Sequence, residues 1–257
     1  MKQFILILYM FLFINCVNSD SAENVETKKK LNEIEIDSFK VEMHNVNVIE
    51  KPKQKEYTLY EDSLIGLGFV DVQKIDSTFV LDLKYTKQEN FTNAILYTDL
   101  QHCFLQKEVV TLLVKAHNII KEKKPNTRIV LYDCLRPQSV QYKMWDIVKG
   151  TDKARYVAEP KYGSIHNFGA AVDLGLIDTL GNYLDMGSPF DEFSILAQPR
   201  HEMELFKKGE IAREALDNRW LLKTSMKAVG FKSILTEWWH YNAYSLKYTR
   251  QNFSIVK

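Results

Sequence analysis

The order of apolar and polar residues after residue 57 predicts strands and helices of ordinary length. Residues 79–85 alternate with the period of two that is typical of a half-buried strand. Residues 106–121 carry apolar side chains at helical spacing, and residues 128–132 form an apolar run that indicates a buried strand. The same criteria predict a helix from Pro137 to about residue 148, a strand over 170–176, a turn at 181–182, a helix over 218–229 and a last strand over 236–241.

These elements follow one another without regular strand-helix-strand repetition, an order that favours an α+β fold. The chain has 257 residues, of which 46% are hydrophobic, 12% aromatic and 26% charged, and this composition excludes disordered, collagenous and multi-span membrane chains. No internal repeat or low-complexity segment divides the sequence. Residues 57–257 are therefore predicted to form one domain.

Positive and negative charges are balanced along the chain. The 34 Lys and Arg residues and the 33 Asp and Glu residues leave a formal net charge of +1. Because nucleic-acid-binding domains usually carry a basic excess, this balance argues against nucleic acid as a partner. It favours a local site for a small substrate, and nothing in the sequence points to a protein partner.

The N-terminus has the proportions of a secretory signal over residues 1–16. Residues 4–14 are apolar or aromatic, and this run is shorter than the about 20 residues that span a bilayer. Cys16 follows it at the lipidation position of a bacterial lipoprotein signal, although Asn15 is irregular there. Two outcomes of export to the periplasm or cell envelope remain open: membrane attachment through lipidated Cys16, or ordinary cleavage just beyond it. Residues 17–56 are predicted to be a polar tether.

Cys103 and Cys134 remain after the leader, and in an oxidising exported compartment such a pair can form a disulfide. Cys134 lies two residues before Arg136, so a bridge would clamp the loop that carries this arginine. The alternative is two buried free thiols.

His166 and Asp173 are competent zinc ligands in a stretch of small residues where the backbone can approach an ion closely. Their odd separation places them on opposite faces of any regular strand, so we expect a loop to hold His166 and a strand to hold Asp173. Taken alone, a histidine of this kind is more often structural than a ligand.

A second candidate segment is residues 236–241, where Glu237 precedes His240 by three within an aromatic stretch. A catalytic zinc site needs three protein ligands and a nearby base. His166, Asp173 and His240 supply the ligands, and Glu237 supplies the base. The alternative is a surface Glu237 beside two core tryptophans. Arg136 could stabilise a developing negative charge, or be an ordinary surface arginine.

Two motifs carry a resemblance to a known family. SxHxxGxAxD at residues 164–173 and ExWH at 237–240 are similar to the signatures of the D-alanyl-D-alanine dipeptidases, zinc peptidases of the vancomycin-resistance type. The similarity also includes residues 82–85, 90–92, 135–137 and 186–191, and covers roughly residues 57–245. It implies a central antiparallel sheet flanked by helices, as in peptidoglycan carboxypeptidases and the zinc-binding domain of hedgehog proteins.

The resemblance also implies roles for single residues. His166, Asp173 and His240 would bind one zinc ion per chain. Glu237 would act as general base and acid. The remaining roles are stabilisation of the transition state by Arg136, capture of the substrate ammonium group by Asp191, and a position beside the substrate for Ser164. Cys103 and Cys134 belong to a subset of the family, and nothing is transferred to residues 192–217, so that His201 stays unassigned.

The expected reaction is the zinc-dependent hydrolysis of the D-Ala-D-Ala dipeptide to two D-alanines, in cell-wall peptide turnover or glycopeptide resistance. One alternative is a peptidoglycan D,D-carboxypeptidase or endopeptidase, which would use the same zinc motif. Another is a non-catalytic zinc-binding module, against which the presence of Glu237 argues.

Overall fold

A computed structural model describes residues 56–257. The predicted signal, Cys16 and all of the predicted tether except its last residue lie outside the described residues, and these assignments stay predictions. Within the part of the chain that is described, no helix combines the length and the apolar character needed to cross a membrane.

The described residues form seven strands and seven α-helices, which agrees with the predicted α+β class. The strands are β1 (Val70–Asp71), β2 (Val80–Leu81), β3 (Phe104–Leu105), β4 (Thr127–Asp133), β5 (Ala171–Asp178), β6 (Lys232–Ser233) and β7 (His240–Asn242). The helices are α1 (Leu59–Gly66), α2 (Val72–Ile75), α3 (Lys107–Lys123), α4 (Gln138–Val148), α5 (Glu202–Lys207), α6 (Arg213–Ala228) and α7 (Leu246–Asn252).

A five-stranded sheet with the order β2-β4-β5-β7-β6 forms the centre of the fold, and β1 pairs with β3 in a small separate sheet. Three of the four pairs in the large sheet are antiparallel, as expected. The pair of β2 with β4 is parallel, so the expectation of an antiparallel sheet is wrong at this edge. The physical reason is the connection, because α3 lies between these two strands in the chain and provides the crossover that parallel strands need.

The long predicted elements are correct within a few residues. Helix α3 presents an apolar face and contacts α6, while β4 and β5 are buried along almost their whole length. A strand covered on both faces gains stability from every apolar side chain, by about 1.5–3 kcal/mol for each fully buried one. Helix α6 starts at Arg213, five residues before its predicted start.

Two predicted strands are much shorter in the structure. In residues 79–85, pairing is limited to β2, because Asp82 accepts hydrogen bonds from Lys87 at 2.6 Å and Tyr183 at 2.7 Å and a 3-10 turn follows over Lys84–Thr86. In residues 236–241, strand pairing starts only at His240. Trp238 and Trp239 are both buried, which a strand with one solvent-facing side would not allow.

A disulfide joins Cys103, just before β3, to Cys134, just after β4. Their Cα atoms lie 5.5 Å apart, and both residues are buried in the main core. The bridge therefore ties the small sheet to the end of the central strand from which the Arg136 loop leaves.

Candidate metal centre and active site

Three elements bring His166, Asp173 and His240 together. His166 lies on the 3-10 turn Ile165–Phe168, and Asp173 lies on β5 directly opposite His240 on β7. This is the loop-and-strand arrangement that the spacing predicts. Gly169 ends the turn with φ at +64°, and a Cβ there would lie 2.7 Å from the ring of Phe69, so only glycine fits.

The three potential ligand atoms form a compact triangle. His166 Nε2 lies 3.2 Å from His240 Nδ1 and 3.3 Å from Asp173 Oδ1, and the last two atoms are 2.9 Å apart. Atoms bound at about 2.0–2.1 Å to a tetrahedral zinc ion lie about 3.3 Å from one another. The triangle therefore fits one face of such a site, and these three residues could hold a metal ion.

The outer nitrogen of each histidine has its own acceptor. Nδ1 of His166 donates to the backbone carbonyl of Cys134 at 2.7 Å, and Nε2 of His240 donates to Oδ1 of Asn242 at 2.9 Å. A neutral ring that donates from its outer nitrogen presents a lone pair from the inner one. Two lone pairs and a carboxylate oxygen thus converge, a donor set suited to a cation. Asn242 was not singled out in the sequence, although it lies two residues after His240 on β7 and therefore on the same face of that strand.

The carboxylate of Asp173 is almost fully buried. Burial alone would raise its pKa, but His166 and the hydrogen bonds from His166 and His240 hold the pKa of Asp173 well below its usual range. The group is therefore ionised at any physiological pH, as a metal ligand must be.

Arg136 follows β4 and is held from two sides. Its Nε donates to Asp133 Oδ2 at 2.8 Å, and its Nη1 donates to Gln141 Oε1 at 2.9 Å. Nη2 lies 3.6 Å from Asp173 Oδ2, so the guanidinium borders the metal cluster. Arg136 is buried rather than on the surface. Asp133, the fully buried counterion, was missed in the sequence because nothing local distinguishes it from a strand terminus.

Asp191 lines the same cavity as Arg136 and contacts Tyr85. The hydroxyl of Tyr85 is 3.3 Å from both carboxylate oxygens of Asp191, and the Tyr85 ring stacks 5.3 Å from the Arg136 guanidinium. The pKa of Asp191 is raised to about 8. Burial is the largest cause, and the negative charge of Asp173 is the second. The backbone of Asp191 is left-handed, with φ at +59°, a conformation that costs a non-glycine residue free energy and must be held by its surroundings.

Glu237 lies in the loop between β6 and β7, three residues before His240. Burial raises its pKa to about 7, although the charge of His240 acts in the opposite direction. A carboxylate with a pKa near neutrality can both accept and donate a proton during turnover, which is the property required of a general base and acid.

Ser164 shapes the turn that carries His166. Its hydroxyl accepts a hydrogen bond from the backbone N–H of His166 at 3.3 Å, and its own N–H donates to Asn167 Oδ1 at 2.6 Å. The residue also borders the cavity, so that a position beside a substrate is compatible with this capping role. His201, which the sequence left unassigned, contacts Glu204 at 3.3 Å and does not line the cavity.

One cavity of about 240 Å³ brings all seven predicted site residues together. Besides the three potential metal ligands it contains the carboxylates of Asp191 and Glu237 and the cation of Arg136, and most of its other side chains are apolar. Such a cavity can bind a small polar molecule, polarise a carbonyl group and transfer a proton. The seven residues are Arg136, Ser164, His166, Asp173, Asp191, Glu237 and His240, and the remaining wall includes Tyr85, Phe91, Met144, Tyr156, Phe193 and Trp239.

Comparison with known proteins agrees with this chemistry. The model of the M15 peptidase family, described as D-ala-D-ala dipeptidase, matches residues 66–257. The chain belongs to this family. The match includes every residue of the cavity and the whole central sheet. The resemblance read from the two motifs is thus confirmed, and the protein is a peptidase.

Two curated relatives carry the same name. The D-alanyl-D-alanine dipeptidase of Escherichia coli (strain K12) is 34% identical over 172 residues, which cover 67% of this chain and 82% of the relative. The D-alanyl-D-alanine dipeptidase of Synechocystis sp. is 27% identical over 168 residues, which cover 54% of this chain and 68% of the relative.

Proposed function

We propose that this protein is a zinc-dependent dipeptidase that hydrolyses D-Ala-D-Ala to two D-alanines. The observation that carries the proposal is the presence of Asp191 in the same cavity as the metal triad and Glu237. A free dipeptide has an ammonium group close to its scissile bond, and a half-buried carboxylate in the same cavity can recognise it. The names of the relatives support the choice of D-Ala-D-Ala.

His166, Asp173 and His240 would hold the zinc ion. Two imidazoles and one carboxylate are a usual ligand set for catalytic zinc, and the outer hydrogen bonds to Cys134 and Asn242 fix the two rings. Zinc bound there would supply Lewis-acid activation of water and of the substrate carbonyl.

Glu237 takes a proton from the attacking water and later returns it to the leaving amine. Its pKa of about 7 lets the same carboxylate serve both half-reactions near neutral pH.

Arg136 stabilises the negative charge that develops on the carbonyl oxygen. Its hydrogen bonds to Asp133 and Gln141 fix the guanidinium before the substrate arrives, so no reorganisation is needed in the transition state. Asp191 binds the substrate ammonium group. Because an acylated amine has no such charge, Asp191 makes the enzyme hydrolyse free dipeptides faster than N-acylated ones.

The test is D-alanine release from D-Ala-D-Ala, L-Ala-L-Ala and a wall stem pentapeptide by the zinc-loaded protein. Release from the free D,D-dipeptide alone is expected, with a loss of about 100-fold or more in Glu237→Gln. Glu214→Gln, an exposed glutamate on α6, is the matched control. Release from the pentapeptide would identify a D,D-carboxypeptidase or endopeptidase, and no release with zinc bound would identify a non-catalytic module.

We further propose that the protein is exported to the periplasm or cell envelope and acts in cell-wall peptide turnover or glycopeptide resistance. The apolar run at residues 4–14 supports export, and disulfides persist mainly in oxidising compartments. Lipid labelling of the wild type beside Cys16→Ser would distinguish membrane attachment from ordinary cleavage. Recovery of the protein from the cytoplasmic fraction would contradict export.

A further inference from the structure

Arg219 on α6 is a buried cation outside the cavity. Only 2% of its surface is exposed, and among the described residues no carboxylate forms an ion pair with it. Its Nη1 is buried and has no hydrogen-bond partner in the same part of the chain. The carboxylates of Glu202 and Asp185 act on it only from beyond ion-pair distance. Burying a guanidinium without a direct ion pair is unfavourable, so its retention requires close hydrogen-bond acceptors.

The compensating interactions are two backbone carbonyls that lie ten residues apart. Nε of Arg219 donates to the carbonyl of Met186 at 2.6 Å, and Nη2 donates to the carbonyl of Leu196 at 2.7 Å. Residues 187–195 form the loop between these two carbonyls, and we call it the Asp191 loop. It brings Asp191 and Phe193 into the cavity. One planar side chain thus closes both ends of the loop.

The start of the Asp191 loop is packed against the same helix. Gly187 has φ at +74°, and a Cβ there would lie 3.3 Å from Nη2 of Arg219 and 2.9 Å from the side chain of Ile211. The indole of Trp238 donates to Ser188 Oγ at 2.9 Å, and its ring lies 6.0 Å from the Arg219 guanidinium. Because Trp238 directly follows Glu237, these contacts connect the loop to the proposed base.

We propose that Arg219 is a positioning residue, whose guanidinium closes the Asp191 loop and holds Asp191 where it binds the substrate ammonium group. This inference rests on the proposed function, in which Asp191 recognises that group. The left-handed backbone of Asp191 has to be imposed by its surroundings, and a clamp at both loop ends does this. Lysine keeps the charge but lacks the rigid fork that reaches two carbonyls at once.

The test compares Arg219→Lys with Arg213→Lys, a matched control on the exposed face of the same helix. The substrates are D-Ala-D-Ala and N-acetyl-D-Ala-D-Ala, which lacks the ammonium group. Arg219→Lys is expected to lower kcat/KM for the free dipeptide by about 100-fold, mainly through KM, and to leave the slow hydrolysis of the acetylated dipeptide unchanged. The zinc content of Arg219→Lys should equal that of the wild type, and Arg213→Lys should have the wild-type kcat/KM for both substrates.

The double variant Asp191→Asn/Arg219→Lys should be no slower than Asp191→Asn alone, because Arg219 acts through Asp191. Equal losses in both backgrounds would overturn the proposal, since they would show a general structural role. If Arg219→Lys does not fold, Gly187→Ala tests the loop from its own side, because φ of +74° is strained for alanine and the added Cβ would lie 2.9 Å from Ile211, so this end of the loop must shift away from α6 and Arg219.

Hydrogen exchange provides a readout that needs no substrate. In Arg219→Lys, amide exchange should rise in peptides that cover residues 187–195 and stay unchanged in β4 and β5. Unchanged exchange in the loop would overturn the positioning role even if the enzyme hydrolyses D-Ala-D-Ala. If exchange in the Asp191 loop rises in Arg219→Lys but the wild type releases no D-alanine, Arg219 holds the loop and only the proposed function is wrong.

Discussion

The carbonyl oxygen of Cys134 accepts a 2.7 Å hydrogen bond from Nδ1 of His166, across 32 residues of the chain. The disulfide to Cys103 anchors the same residue from its side chain. One residue thus connects a covalent crosslink to the orientation of a potential metal ligand. Oxidation of the cysteines and formation of the metal site are therefore expected to be coupled.

Replacing both bridge cysteines by alanine is expected to weaken metal binding and to lower the free energy of unfolding by about 3 kcal/mol, because the crosslink closes a loop of 31 residues. Guanidinium unfolding and Co²⁺ titration would measure the two effects. Two alkylatable thiols in the denatured, unreduced wild type would show that no bridge forms, and an unchanged Co²⁺ affinity would show that the bridge does not support His166.

Asn242→Ala removes the acceptor of the His240 outer nitrogen and frees the ring to rotate. We expect metal affinity to fall by about 10- to 100-fold, as for other residues that orient metal-binding histidines. Competition with a chelator measures this. Asn118→Ala, an exposed position on α3, is the control and should bind metal as the wild type does. Equal affinity of both variants would contradict the orienting role.

Arg136→Ala is expected to lower kcat by about 100- to 1,000-fold while the metal stays bound, since the arginine stabilises charge rather than coordinating the ion. Metal content by elemental analysis and turnover of D-Ala-D-Ala are the measurements. Arg128→Ala at the distant start of β4 should retain turnover. Loss of metal together with activity in Arg136→Ala would show a structural arginine.

Asp191→Asn is expected to stabilise the metal-free protein at high pH. Burial raises the pKa of Asp191 from 3.8 to about 8, so the folded state disfavours the ionised carboxylate and loses stability as the pH rises from about 4 to about 8. Asparagine removes this penalty. Thermal unfolding of chelator-treated protein should therefore give a higher Tm for the variant at pH 9 and similar values at pH 4. Asp146→Asn, at an exposed position, should show no such gain.

The pKa of Glu237, which burial raises to about 7, predicts the pH profile of the enzyme. The general base must be ionised to accept a proton. In the enzyme–substrate complex Asp191 is paired with the substrate ammonium group, so kcat should fall as the pH drops below neutrality. Measurements from pH 5 to 9 with D-Ala-D-Ala would define this limb. A flat profile over this range would exclude Glu237 as the base.

Long elements with strong periodicity could be predicted from the sequence because their burial is decided locally. The apolar spacing of α3 and the apolar run of β4 correspond to surfaces that any compact fold must bury. Residues 79–85 show the limit of this reasoning. Apolar and polar residues do alternate there, but Asp82 accepts hydrogen bonds from Lys87 and from Tyr183, which lies 101 residues away. Those contacts end the strand after two residues.

By itself, the sequence determined the type of chemistry, because the two motifs contain three residues of metal-binding type and one glutamate that can act as a base, at fixed spacing. Tertiary structure alone decided which distant groups support them: Tyr85 at Asp191, the Cys134 carbonyl at His166, and Arg219 at the Asp191 loop. Each of these is a hydrogen bond or ion pair formed by buried polar groups. Such groups need a partner of suitable geometry from whatever segment packs beside them, and that segment is chosen by the packing of the whole core rather than by local sequence.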